Sequence, residues 1–336
     1  MKLQTSKFII LVGRGKMKKL LLSSCVSLSF FIAVQATSDF TFLVNSDIHV
    51  TVPGETENSN GPIKMAQLKS MLADIRNQDN NTKAVLLAGD LTDNGSDAQF
   101  QAFVQKWMQP IGQLMPHEPH GGLYLCKGNH DEGSGTNTQE LNYLKTEYGG
   151  GSRFFYSFDI EGLHFICCEK FPTEPLLGLG CLGCGILDDV LPWLADDLAS
   201  VGKHTPVIIF FHYNILDDTA GSFGTWCSIS WSTSCGTWTL RSAPQAKKYF
   251  YDVINGYNIQ GIFYGHRHWS YSASWQSSLC ANPATDPKYR IADVGGNYYA
   301  FCKYHAATGE VDINFKDASG NVFPWDAPLQ ANLTEN

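Results

Sequence analysis

Short apolar runs alternate along this chain with segments whose apolar residues recur at helical spacing. Residues 40–44 and 84–88 are short, predominantly apolar runs, and each predicts a buried strand. Between them, Ile, Leu and Met residues at 63–75 fall near helical spacing behind Pro62, and proline suits the first turn of a helix. This order predicts a strand, a helix and a second strand that form a βαβ unit.

The alternation continues to the end of the chain. Further strands are predicted at 123–126, 154–160, 163–168, 207–211, 262–264, 298–304 and 311–315, and further helices around 100–108, 190–198 and 249–254. Turns at Glu161-Gly162 and Thr308-Gly309 join two pairs of these strands into hairpins. Because no internal repeat or low-complexity linker divides the chain, we expect one layered α/β domain.

The first 36 residues have the pattern of a signal peptide. They contain six basic residues and no acidic one, and a mostly apolar run at 20–34 leads to Val34-Gln35-Ala36. We expect cleavage after Ala36, with Met17 as an alternative start, and a secreted or periplasmic domain at 37–336. An uncleaved anchor is disfavoured because a membrane span needs about 20 apolar residues and serines interrupt this run. A lipoprotein signal ending at Cys25 is the other alternative.

Cysteine usage agrees with export. Five of the ten cysteines lie in turn-rich sequence, namely Cys181, Cys184, Cys227, Cys235 and Cys280. In an oxidising compartment this placement favours disulfide bonds, with a structural zinc site as the alternative. Cys126, Cys167 and Cys168 lie inside apolar, strand-like runs, where we expect buried thiols.

The composition and charge of the chain exclude two classes of protein, disordered chains and nucleic-acid binders. With 43% hydrophobic residues and 17% charged ones, against about 25% in a typical soluble domain, the chain is too apolar to be disordered. It has no Lys/Arg run beyond residue 20, so it lacks the basic surface that nucleic-acid binding requires. Six of the 24 basic residues precede residue 37, so the mature chain keeps 18 against 32 acidic residues. This excess disfavours polyanionic ligands.

Residue types that bind metals follow five of the predicted strands. They are Asp47 and His49, Asp90, Asn129 and His130, His212, and His266 and His268. Ligands of α/β proteins bind beyond the carboxyl ends of the strands, so we expect these side chains to converge. Carboxylate, imidazole and amide groups suit divalent Mn, Fe, Zn or Co. They outnumber the ligands of one ion, and two ions sharing a carboxylate fit the count. Glycines before Asp90, Asn129 and His266 would allow close backbone approach.

The same residues form five motifs in a fixed order. They are Asp47-x-His49, Gly89-Asp90-Leu91-Thr92-Asp93-Asn94-Gly95, Gly128-Asn129-His130-Asp131, a strand-end His212, and Gly265-His266-Arg267-His268. This set resembles the calcineurin-like metallophosphoesterase superfamily, and is most similar to its cyclic-nucleotide-phosphodiesterase-like members. It differs from purple acid phosphatases, which have a metal-binding Tyr in place of Asp93. The resemblance implies an α/β fold, a four-layer sandwich of two mixed β-sheets flanked by helices.

The resemblance also implies a ligand set for two divalent metal ions. One ion would be held by Asp47, His49, Asp90 and His268, and the other by Asp90, Asn129, His212 and His266. Two such ions would lower the pKa of a bridging water, and the resulting hydroxide would attack the phosphoryl group in line. His130 is the expected general acid, with Asp131 orienting it. Arg267 is left open between a phosphate contact and an outward structural role.

These observations predict an exported, dinuclear metal-dependent phosphoesterase that acts on phosphomonoesters or phosphodiesters. The alternative is a secreted metal-containing binding protein of the same fold without turnover. We expect a small-molecule substrate, no nucleic-acid partner and no stable membrane span. A loop at 217–242 carries Trp226, Trp231 and Trp238 together with Cys227 and Cys235. These rings either contact a nucleobase or an apolar phospholipid group, or cover the end of the sheet as a small core.

Overall fold

The structure is a computed structural model. It describes residues 38–56, 61–132, 138–149, 153–168, 190–213, 232–233, 236–237, 243–268, 270–275, 282 and 284–325. All of these lie in one compact unit, Thr37–Asn336. The predicted signal peptide, the five cysteines expected in disulfides or a zinc site, and the three loop tryptophans lie outside the described residues.

The described strands are β1 (Phe40–Asn45), β2 (Thr82–Ala88), β3 (Leu123–Cys126), β4 (Tyr156–Ile160), β5 (Leu163–Cys167), β6 (Val207–Phe210), β7 (Ser232–Thr233), β8 (Gly236–Thr237), β9 (Ile259–Tyr264), β10 (Tyr271–Trp275), β11 (Tyr289–Asp293), β12 (Tyr298–His305), β13 (Glu310–Asp317) and β14 (Val322–Pro324). The described helices are α1 (Gly61–Arg76), α2 (Asp97–Phe103), α3 (Gln109–Leu114), α4 (Gln139–Glu147), α5 (Val190–Val201) and α6 (Ala243–Ile254).

Two six-stranded mixed sheets form the centre of the fold. The first has the strand order β14-β13-β12-β1-β2-β3, and the second has the order β10-β11-β9-β6-β5-β4. In the first sheet β1, β2 and β3 are parallel, and in the second β5, β6, β9 and β11 are parallel. Strands β7 and β8 form a separate small hairpin. The predicted α/β fold with two mixed sheets flanked by helices is confirmed.

Three buried clusters separate the four layers. The cluster between the sheets includes Phe42 and Phe165, whose rings meet edge to face at 5.2 Å. Because side chains alternate along a strand, Leu43 points to the opposite face and joins the cluster that also includes residues of α1 and α2. A third cluster includes residues of α5 and α6 packed with strands of the second sheet.

The segment expected as one helix around 100–108 is more complex. Helix α2 continues through a π-helical segment, Val104–Met108, into α3. The amide of Gln109 donates to the carbonyl of Val104, five residues earlier. Pro110 follows directly and has no N–H to donate to Lys106, so a wider turn before it leaves fewer groups unpaired.

Tyrosine hydroxyls cover the outer side of β3, which is an edge strand of the first sheet. The hydroxyl of Tyr148 donates to the carbonyl of Leu123 at 2.9 Å, and that of Tyr156 donates to the carbonyl of Leu125 at 3.0 Å. Tyr156 belongs to β4, the edge strand of the second sheet. These bonds therefore satisfy carbonyls on the unpaired edge of β3, and the bond of Tyr156 ties the two sheets together.

The thiols expected in the core are found there. Cys126, Cys167 and Cys168 are buried, as is Cys302, and no disulfide at bonding distance occurs among the described residues. No described helix has both the length and the apolar character needed to cross a membrane.

Candidate metal centre

The loops after β1 and β2 run side by side and present the first ligand residues. The amide of Asp47 donates to the carbonyl of Gly89 at 3.0 Å, and that of His49 donates to the carbonyl of Asp90 at 2.9 Å. Five site residues have a positive φ, namely Asp47 (55°), His49 (46°), Asp90 (51°), His266 (76°) and His268 (56°). Such backbone conformations are costly and cluster at functional sites.

Four of the predicted ligands form one compact group. The ligand atoms of Asp47, His49, Asp90 and His268 all lie within 4.8 Å of one another. The Nε2 atoms of His49 and His268 are 3.0 Å apart, and Nε2 of His268 is 3.3 Å from Oδ1 of Asp47. Donors that bind one ion at about 2.0–2.1 Å lie about 3 Å from each other, so this spacing fits a metal ion.

A second group lies beside the first. It contains Asp90, His212 and His266, and the Nε2 atom of His212 is 3.1 Å from Oδ2 of Asp90. The amide oxygen of Asn129 lies 3.2 Å from Nε2 of His212 and 2.9 Å from Nδ1 of His266. Asp90 belongs to both groups, which is the arrangement that a carboxylate shared by two ions requires.

The second nitrogen of two histidines is held by an oxygen. Nδ1 of His212 lies 2.9 Å from the carbonyl of Ala88, and Nδ1 of His49 lies 3.2 Å from Oδ1 of Asp93. When Nδ1 donates to these oxygens, Nε2 presents its lone pair toward the carboxylates. This is the usual arrangement of metal-binding histidines, so the residues present fit divalent ions.

Three glycines let the loops approach the site, as the sequence predicts. A Cβ atom on Gly128 would lie 2.1 Å from Oδ1 of Asp90, one on Gly265 would lie 2.2 Å from Oδ2 of Asp47, and one on Gly89 would lie 2.6 Å from Nδ1 of His212. Larger residues at these positions would displace the predicted ligands.

The carboxylates of the site are buried but remain ionised. Burial alone raises the pKa of Asp47, but the hydrogen bond and charge of His268, with the charges of His212 and His49, hold it well below its usual range. Burial also opposes ionisation of Asp90, yet His212 and His49 lower its pKa to about 2. The site therefore presents negative charge that favours cation binding.

His130 lies beside the ligand groups. Its amide donates to Oδ1 of Asp90 at 2.8 Å, its Nδ1 lies 2.6 Å from the carbonyl oxygen of Asp93, and its ring meets that of His49 edge to face at 4.6 Å. Asp93 thus contacts both histidines, a role that the sequence analysis does not assign to it. Its position three residues after Asp90 is the signal that could have revealed this role.

Asp131 does not occupy the orienting position expected for it. Its carboxylate accepts hydrogen bonds from the amides of Thr92 at 2.9 Å and Gly128 at 2.6 Å, which links the loops after β2 and β3. The carbonyl of Asp93, not Asp131, is the group that contacts Nδ1 of His130.

The hydroxyl of Thr92 donates to the buried Glu140 at 2.8 Å. Burial and the neighbouring Asp131 raise the pKa of Glu140 well above its usual range.

Solved structures are similar to this chain over most of its length. A purple acid phosphatase from yellow lupin (Lupinus luteus) has a TM-score of 0.57 at 16% identity, over 86% of this chain and 53% of that one. GAP50 from Plasmodium, described as the anchor in the inner membrane complex, has a TM-score of 0.49 at 12% identity, over 89% and 88% of the two chains. The chain thus spans about half the length of the lupin phosphatase. No curated protein sequence matches it.

The calcineurin-like phosphoesterase family model matches residues 40–270. This range covers more than half of the chain and includes every predicted metal ligand together with His130 and Asp131. The chain therefore belongs to the calcineurin-like phosphoesterase family.

Proposed function

We propose that the protein is an exported, dinuclear metal-dependent phosphoesterase that hydrolyses small phosphomonoesters or phosphodiesters. Family membership supports phosphoester hydrolysis in general. The two adjoining groups of ligand atoms, which share Asp90, support two ions rather than one. The mixed carboxylate, imidazole and amide donors favour Mn, Fe, Zn or Co.

The seven ligand residues would divide between the two ions, with Asp90 bound to both. One ion would bind Asp47, His49, Asp90 and His268, and the other would bind Asp90, Asn129, His212 and His266. Divalent ions held here would supply Lewis-acid chemistry, lowering the pKa of water and neutralising charge on phosphoryl oxygens. The chain itself contributes a rigid cradle, because backbone amides and the close glycines fix both carboxylates.

The position of His130 is the observation that carries the choice of an enzyme over a binding protein. Its Nδ1 lies at the Asp93 carbonyl, so the proton on Nδ1 is committed to that bond and Nε2 is the nitrogen left for a substrate. Protonated at Nε2, the ring would donate a proton to the leaving oxygen as the ester bond breaks. A protein that only bound phosphate would not require a proton donor held in this way.

We also propose that the protein is exported and that its substrate is small. The basic and apolar segment at 1–36 supports export, and mass spectrometry of the N-terminus of the extracellular or periplasmic protein tests it. A chain beginning at Thr37 is expected. Recovery of the intact N-terminus in the cytoplasm would refute it. The acidic excess of the mature chain supports small phosphoesters over polyanions.

Hydrolysis of nitrophenyl phosphate and of bis-nitrophenyl phosphate tests the activity. We expect nitrophenol release from at least one ester with added Mn²⁺, and loss of release with a chelator. The alternative, a secreted metal-containing binding protein of this fold, predicts metal binding without turnover. If neither ester is hydrolysed with any of the four metals while metal still binds, that alternative replaces the enzyme.

A further inference from the structure

A fully buried lysine lies behind the predicted ligand Asp47. Lys64, on α1, is 1% exposed, although lysine is almost never fully buried unless it is paired. Its Nζ donates to Oδ1 of Asn45 at 2.9 Å and to the carbonyl of Val294 at 3.3 Å. Burial lowers the pKa of Lys64 to about 8, while the nearby charges of Asp47 and Asp293 oppose this shift.

The hydrogen bonds around Lys64 form a network in which every donor and acceptor can be assigned. Because lysine only donates, the oxygen of the Asn45 amide must face it, and the Asn45 nitrogen then donates to Oε1 of Gln67 at 3.0 Å. The nitrogen of Gln67 in turn donates to the carbonyl of Gly296 at 3.0 Å. Helix α1 therefore holds the end of β1 and the turn between β11 and β12 at the same time.

That turn touches the carboxylate of Asp47. A Cβ atom on Gly295 would lie 2.3 Å from Oδ2 of Asp47, so the backbone of the turn packs directly on this oxygen. The amide of His266 donates to both oxygens of Asp47 at 3.0 Å. The carboxylate is thus confined between these two backbone segments. The turn lies beyond residues 40–270, so it is outside the region that the family model matches.

We propose that Lys64 is a positioning residue for the metal centre, because through Asn45 and the Val294 carbonyl it holds the β11–β12 turn against Asp47. The inference rests on the proposed function in one respect, since it takes Asp47 as a metal ligand. Lys64 has no contact with substrate in this role. It acts on the first ion through the orientation of one carboxylate.

Manganese binding by the chelator-stripped full chain tests the proposal. Lys64→Met keeps a similar length and removes both hydrogen bonds, and we expect it to weaken Mn²⁺ binding by about tenfold or more, as loss of a group that orients a metal ligand does. Lys69→Met is the matched control, because Lys69 is exposed on the same helix, and it should bind Mn²⁺ as the wild type does. The thermal midpoint of each metal-free variant is measured in parallel.

Whether Mn²⁺ binding weakens or tightens in Lys64→Met distinguishes a positioning role from a purely electrostatic effect of the lysine charge. Removal of a cation near a metal site would by itself tighten Mn²⁺ binding, so tighter or unchanged binding in Lys64→Met overturns the proposal, whatever its thermal midpoint. If Lys64→Met does not fold, Gln67→Met removes the other link to the turn and must weaken Mn²⁺ binding similarly. If neither variant folds, the network serves folding and the proposal is overturned. Absence of Mn²⁺ binding in the wild type refutes the metal site itself.

Discussion

Gly128→Ala is a sharp test of the bridging role of Asp90. Gly128 has an ordinary φ, so the substitution adds no backbone strain and its effect is steric. The new Cβ would lie 2.1 Å from Oδ1 and 2.2 Å from the amide nitrogen of Asp90, whereas real Cβ atoms essentially never come within 3.0 Å of another heavy atom. The carboxylate or the loop must therefore move by about 1 Å, a displacement that can cost about 100-fold in rate.

We expect Gly128→Ala to lower kcat/KM about 100-fold or more and to weaken Mn²⁺ binding about 10- to 100-fold. Overpacking should also lower the free energy of unfolding by about 1–3 kcal/mol. The assays are nitrophenyl ester hydrolysis and Mn²⁺ titration of the stripped protein. Gly112→Ala is the control, because its Cβ would have no neighbour nearer than 3.9 Å and it lies in a helix. Wild-type Mn²⁺ affinity and turnover in Gly128→Ala would refute the assignment of Asp90.

Further variants separate metal binding from catalysis and report on stability. Asp90→Asn should abolish Mn²⁺ binding and activity together, and activity retained in this variant would disprove the shared carboxylate. His130→Ala should lower kcat while Mn²⁺ affinity stays the same, and an unchanged kcat would remove His130 as the proton donor. Mn²⁺ at 100 times its Kd should raise the free energy of unfolding by about 2.7 kcal/mol over the chelated protein, and an unchanged thermal midpoint would count against the site. Burial alone lowers the pKa of His164, but hydrogen bonds to Asp197 and Asp159 raise it above 6.5. Its stabilising effect is thus complete below that pH and fades as pH rises through the folded-state pKa, so the gap in thermal midpoint between wild type and His164→Gln should narrow from pH 6 to 9. A constant gap would show that the effect does not depend on protonation.

The strand ends were predictable because two independent features of the sequence indicate them. Apolar runs show where β1, β2, β3, β6 and β9 lie, and a polar metal-binding residue follows each run, so both the fold and the meeting point of the ligands could be inferred. Strand β11 was missed because its sequence, YRIAD, is short and has no continuous apolar run. Helix α4 was missed because polar residues interrupt its short apolar pattern.

The residues that support the site were harder to predict than the ligands. On α1 the expected apolar residue Ile63 is 36% exposed, and Lys64 takes the buried position instead. Lys64 lies four residues before Leu68 and seven before Met71, and this spacing is the only indication in the sequence that it is buried. A lone lysine at such spacing usually extends its charge into solvent. The contact of Asp93 with His130 depends on which way a backbone carbonyl points, and residue types do not specify this.

The positive φ angles of the ligand residues put activity and stability in opposition at this site. Glycine adopts these angles freely, so Asp47→Gly should lose a metal ligand and yet relieve backbone strain. In the presence of chelator neither the wild type nor this variant binds metal, and the variant has less backbone strain. Selection for metal binding is therefore what keeps these side chains in place, and a lineage released from that selection would lose its ligands before it lost its fold.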